Sequence, residues 1–68
     1  MMTVLEALCV TRDKNSSFDE FLDAISYLCV FSNLENGTVN YYSHETNTNT
    51  LIPLTKQEIQ YIDIFMNY

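Results

Sequence analysis

Asn36-Gly37-Thr38-Val39-Asn40-Tyr41-Tyr42-Ser43 decides the fold class of this chain. Asn-Gly readily takes positive φ, so residues 34–38 read as a helix stop followed by a turn. The six residues after Gly37 are rich in β-branched and aromatic side chains and predict a strand. Leu51-Ile52-Pro53-Leu54 is the candidate returning strand, and Pro53 confines it to an edge or a bulge. The Thr/Asn alternation from Glu45 to Thr50 reads as the connection between the two. A strand at 38–43 makes the fold α+β, a small single domain over residues 1–68 with about three helices and a two-stranded hairpin. A helix there would make it a small all-α bundle, the alternative.

The flanks of this segment are helical. Three times a hydroxyl residue precedes a Glu by three positions ahead of an apolar stretch: Thr3 and Glu6, Ser17 and Glu20, Thr55 and Glu58. Each pair can satisfy two free helix-start amides, the hydroxyl accepting from one and the carboxylate from the other. A first helix is predicted from about Val4 to Thr11 and a second from Phe18 to about Asn33. In the second, Phe18, Phe21, Leu22, Ile25, Leu28, Cys29 and Ser32 follow helical spacing. Its second half, Tyr27 to Phe31, is apolar all round, which predicts burial on every side. A third helix is predicted from Lys56 to the C-terminus. Ile59, Ile62 and Met66 form one stripe, and Tyr61, Ile64, Phe65 and Tyr68 a second.

Length limits what this chain can do alone. With 68 residues it holds one domain, and such a chain buries only about 60% of the surface its unfolded form exposes. Hydrophobic residues make up 47%, too many for a disordered chain. Two helices with apolar excess compete for one small interior, which predicts a homodimer through one of them. The cysteines, Cys9 and Cys29, sit in apolar runs and are expected to be buried as small hydrophobes. Met-Met-Thr-Val-Leu-Glu lacks the positive start of a secretory signal, and no run reaches the ~18 apolar residues of a membrane span. The expected place is the cytoplasm.

Charge is the most informative global property. Nine acids face three bases, a formal net charge of −6. No Lys or Arg lies between Lys14 and Lys56, while Asp19, Glu20, Asp23, Glu35 and Glu45 do. Nucleic-acid binding rests on Lys and Arg contacts to phosphate, and three bases do not build that footprint. The same sign argues against an anionic membrane surface. A basic protein partner would be attracted and its association accelerated.

The candidate contact residues follow from this. Asp19, Glu20 and Asp23 are helix neighbours about 5–6 Å apart at Cβ, broadly comparable with phosphate spacing along a DNA strand. They form a candidate DNA-mimicking surface; the plainer reading is a solvated face with acids favoured near a helix start. Tyr41 and Tyr42 are adjacent on a strand, so one of them points outward, and tyrosine suits interfaces because it buries area and keeps a polar handle. Glu45 belongs to the rim of that patch. Catalytic carboxylates need a shared cleft with pKa values pushed apart, and zinc needs closely spaced ligand pairs. Neither pattern is present, so the sequence predicts no catalytic residue, no metal and no cofactor. His44, in a polar loop, reads as solvated.

Residues 37–43, with the polar stretch and terminal helix that follow, resemble the nuclease-bacteriocin immunity proteins over about seven residues. Those are small acidic helical inhibitors that use a tyrosine pair. The resemblance implies contact roles for Tyr41 and Tyr42 and a helix at 38–43. The chain is shorter at its N-terminus than their four-helix layout.

The expected function is that of a small acidic inhibitor or regulator. It would mask a basic, nucleic-acid-binding surface of a larger host protein. Short stand-alone acidic chains of this kind are typical of phage and mobile elements, an analogy only. The alternative is an assembly protein whose main act is self-association.

Overall fold

Hydroxyl caps begin all three helices of the computed structural model, which describes residues 2–67. Helix α1 is Val4–Arg12, and Thr3 Oγ1 accepts from the Glu6 amide at 3.1 Å. Helix α2 is Phe18–Phe31, with a reciprocal capping box between Ser17 and Glu20. Helix α3 is Lys56–Met66, with the same box between Thr55 and Glu58. In α1 the Glu6 carboxylate meets the Thr3 hydroxyl instead of the cap amide.

Between α2 and α3 lie three strands: β1 Ser32–Asn33, β2 Thr38–Ser43 and β3 Thr48–Pro53. They form an antiparallel sheet in the order β1-β2-β3. The fold is α+β. Ser32 lies opposite Val39, and Val39 opposite Ile52. Gly37 has φ 65° in the first turn, and a Cβ there would meet Ile59 Cδ1 at 3.3 Å, so both backbone angle and space favour glycine. The second turn, residues 44–47, closes with Asn47 at φ 55°, a conformation Asn tolerates.

The helices cover one face of the sheet. Val39 on that face joins Val4, Ala7, Leu8, Phe21, Ala24, Ile25, Leu28 and Ile62 in the core. Asn40, Tyr42, Asn49 and Leu51 alternate onto the other face and are exposed.

Several expectations need correction. The sheet has a third strand, because the chain leaves helical geometry at Ser32 and Asn33 rather than after them. The polar residues Thr48-Asn49-Thr50 are strand, not connection; they sit on the edge, where solvated residues blunt an open row of backbone groups. The second half of α2 is not buried all round, since Val30 is 76% exposed. Cys9 is exposed and Cys29 half-buried: the buried stripe of α1 is Val4, Ala7 and Leu8, which turns Cys9 outward. The immunity-protein resemblance fails at its structural core, because residues 38–43 are strand. On α3 the buried residues are Glu58 and Ile62, while Met66 is exposed. Tyr68 lies outside the described residues.

Glu58 is the buried charge of the fold, only 2% exposed. Arg12 meets it in a two-pronged pair, Nε to Oε2 at 3.2 Å and Nη2 to Oε1 at 3.1 Å. The Thr11 hydroxyl donates to Oε2, and the Thr55 amide to Oε1 at 2.8 Å. Arg12 Nη2 also donates to the Pro53 carbonyl at 2.9 Å. Burial is the largest single influence and pushes the carboxyl upward. The bonds from Arg12, Thr11 and Thr55, together with the Arg12 charge, outweigh it and hold the carboxyl below its usual range.

A carboxylate depressed in the folded state stabilises the fold above its unfolded pKa, about 4.3 for Glu, and that contribution is lost as pH falls through the lower folded value. Arg12→Met is expected to cost about 1–3 kcal/mol near neutrality, because Glu58 loses its charged partner but keeps its bonds from Thr11 and Thr55, and Arg12, 41% exposed, is partly screened by solvent. The total for a chain of this size is only roughly 3–10 kcal/mol. Urea unfolding at a series of pH values should show the variant weaker at neutral pH and less acid-sensitive than the parent. Equal midpoints at neutral pH would contradict the structural role of the pair.

Candidate protein-docking surfaces

The distribution of charge in space is sharper than along the chain. Arg12, Lys14 and Lys56 all line one open groove of about 830 Å³, beside the starts of α2 and α3. These are the three Lys and Arg residues of the protein. They converge because α1 ends where α3 begins, held by Arg12 and Glu58. Two other surface pockets have no Lys or Arg in their linings; His44 lies in one of them.

On one acidic face, α2 and α3 leave apolar side chains uncovered. Leu22, Tyr61, Ile64 and Phe65 line a hollow of about 350 Å³. Helical spacing puts Phe18 one turn before Leu22 on α2, where it is 60% exposed. The Phe18 ring lies edge-on to Tyr61 at 6.2 Å, and Phe21 to Tyr61 at 5.1 Å; all three rings line the groove of the bases, and Tyr61 is the one that also lines the hollow, so the two adjoin there. Asp19 and Asp23, one turn apart, form the exposed stripe next to Phe18 and Leu22.

A second groove, about 530 Å³, runs along the end of β2. Its walls are the start of α1 at Met2, Thr3 and Val4, and the end of α2 at Tyr27 and Phe31. Residues 40–45 form its remaining side. Tyr42 is 41% exposed. Its hydroxyl donates to Asn47 Oδ1, and its ring stands edge-on to His44 at 4.9 Å. Tyr41 is half-buried on the core side, so Tyr42 is the outward member of the tyrosine pair.

Five of the six sequence-nominated contact residues therefore fall into two groups. Asp19 and Asp23 share an exposed face of α2. Tyr41, Tyr42 and Glu45 line the β2 groove, which includes none of the α2 acids. Glu20 is exposed, but its carboxylate is occupied: Oε1 accepts from the Ser17 amide at 3.0 Å. That backbone bond, with the one to the Ser17 side chain, lowers its pKa. Glu20 thus serves the cap. Leu22 and Phe65 were legible only as members of apolar stripes; that the stripes meet over a hollow needed the crossing of α2 over α3.

No helix among the described residues is long and apolar enough to cross a membrane. Among the same residues no group of three or more His, Cys, Asp or Glu could hold a metal ion. Comparison with known proteins gave no match to a protein family, a curated protein or a solved structure.

The two thiols should differ in reactivity. Burial raises the Cys29 pKa, and thiolate is the reactive form, whereas Cys9 is exposed. A colorimetric disulfide reagent at pH 8 should modify Cys9 quickly and Cys29 at least about tenfold more slowly. Equal rates in the folded protein would contradict the placement of Cys29 against α3.

Proposed function

We propose that the protein is a small acidic inhibitor or regulator that docks on a basic, nucleic-acid-binding surface of a larger protein and masks it. The observation that supports this reading most is the segregation of charge. All three Lys and Arg residues are drawn to one groove, so the exposed acids Asp19 and Asp23 of α2 and Glu45 at the sheet end keep an unneutralised field. Such a field raises the rate of encounter with a basic surface and weakens as salt screens it.

Affinity then needs apolar contact at the same place. The hollow of Leu22, Tyr61, Ile64 and Phe65 offers that contact, with Asp19 and Asp23 within a helical turn of Leu22. An aliphatic or aromatic side chain set among Lys and Arg residues is what such a surface would accept. The aspartates supply approach and register, and the hollow supplies residence time.

A second reading is self-association through the same face, favoured by the exposure of Ile64, Phe65 and Met66 together at the end of α3. Salt separates the two. Copies with charge −6 repel each other, so self-association strengthens as salt rises, whereas docking on a basic partner weakens.

Proteins captured by the immobilised chain should be basic and should elute between about 0.1 and 0.5 M salt, as the Debye length falls. Asp19→Asn with Asp23→Asn should slow association by about tenfold. Phe65→Ser should speed dissociation instead. Capture that is indifferent to salt and to both aspartates would remove the reading. Sedimentation velocity showing salt-strengthened dimers in the purified protein would favour the second.

A further inference from the structure

We infer that the groove beside β2 is a strand-accepting site: it takes an extended, basic peptide segment of a partner as an added β-strand, paired to the backbone at Tyr42. The inference goes beyond the docking face of α2 and α3 and does not depend on it.

The argument starts from register. β1 is two residues long and pairs only with Thr38 and Val39. Among the described residues, no strand covers Asn40–Ser43 on that side. Which backbone groups face it follows from one bond. The Leu54 amide donates to the Gly37 carbonyl at 2.8 Å, and the register continues as Val39 opposite Ile52 and Tyr41 opposite Thr50. In an antiparallel pair, hydrogen-bonded and non-hydrogen-bonded positions alternate. Residues 37, 39, 41 and 43 thus direct N–H and C=O toward β3. Thr38, Asn40 and Tyr42 direct theirs the other way, where Thr38 meets Asn33 of β1. In the line of β1 the next residue back is Phe31, the last of α2, where the chain turns away from the sheet. Beyond that point the N–H and C=O of Tyr42 face the groove.

An uncovered strand edge is a template for another strand, and proteins manage it. The opposite edge, β3, is managed. Its free-side positions are Asn49, Leu51 and Pro53; Pro53 has no N–H, and its carbonyl is taken by Arg12. Among the described residues the β2 edge has no such device. It opens instead into a groove walled by Tyr27, Phe31 and Met2, with the Tyr27 and Phe31 rings 5.2 Å apart.

Those walls select the occupant. A strand laid along β2 alternates its side chains. One set would pack on Tyr27 and Phe31, and the other would lie beside Tyr42 and His44. Apolar residues at alternate positions fit the first set. Glu45 is the acid of the lining, which holds His44 but no Lys or Arg. A Lys or Arg in the second set is therefore complementary, and an acid is repelled. Backbone pairing gives the affinity and the alternate side chains the specificity.

The test uses the full chain and capped seven-residue peptides of alternating valine and lysine, read by amide exchange and chemical shift. The valine–lysine peptide is expected to slow exchange at the Tyr42 amide by about tenfold or more, since a buried paired amide exchanges only on opening. A valine–glutamate peptide should bind at least about tenfold more weakly, a difference of about 1.4 kcal/mol. Glu45→Lys should reverse that preference, and it lies on an exposed turn, so it does not threaten the fold. Asp23→Asn should leave peptide binding unchanged, which separates this site from the α2–α3 face. Unchanged exchange at Tyr42 on saturation with the peptide overturns the proposal. So does protection of Tyr42 that grows with protein concentration alone, because then a second copy owns the edge.

Discussion

The pairing of Arg12 with buried Glu58 is the constraint on which the rest of the arrangement hangs. Glu58 joins α1 through Thr11 and Arg12, and its own helix cap through Thr55. Arg12 extends the clasp to the end of β3 at Pro53. Segments more than forty residues apart in sequence are thereby fixed at one corner. The hydrophobic core is small and cannot supply such directional information, because apolar contact is not directional. Replacing a buried ion pair with well-packed apolar residues often costs nothing in stability. Its value here lies in geometry: it sets where α3 begins, and therefore where the aromatic end of α3 emerges beside α2.

The clasp also organises the electrostatics. It consumes one of three bases and places the other two, Lys14 and Lys56, at the mouth of the same groove. A net charge of −6 could have been spread with cations interleaved, which would leave a weak and patchy field. Gathering the cations at one corner leaves the linings of the α2–α3 hollow and of the β2 groove without a Lys or Arg.

Much of this was legible in the sequence, and the failures have physical causes. The caps were readable because Ser17, Glu20, Thr55 and Glu58 act within one helical turn. The strand at Thr38–Ser43 was readable from β-branched and aromatic content after a glycine turn. β1 was not, since Ser32 and Asn33 carry no strand preference and are recruited by pairing with Val39 and Thr38. Polar Thr48-Asn49-Thr50 looked like a loop because edge strands facing solvent need not alternate. Glu58 was recognised as a cap but not as a buried charge; its partner Arg12 lies in another element, and no local pattern joins them. The nominated acids and tyrosines were sensible individually, yet only the fold shows that they belong to two surfaces and that Glu20 is committed to its own helix.

Exposed apolar residues alone argue little, because a folded surface is more than half apolar atoms and a small domain has too much of it to hide. Contiguity is what carries weight. Leu5 and Val30 are exposed but line none of the three pockets. Leu22, Tyr61, Ile64 and Phe65 share one hollow, and Tyr27, Phe31 and Tyr42 share one groove with an uncovered strand edge. The two places differ in kind. The hollow is non-directional and accepts shape and hydrophobicity, so the neighbouring aspartates must provide orientation. The strand edge is directional by itself, since its hydrogen bonds fix register before any side chain is read. On the proposed reading, a chain of this size discriminates partners by two unlike criteria, field and hollow on α2–α3, backbone and alternation at β2.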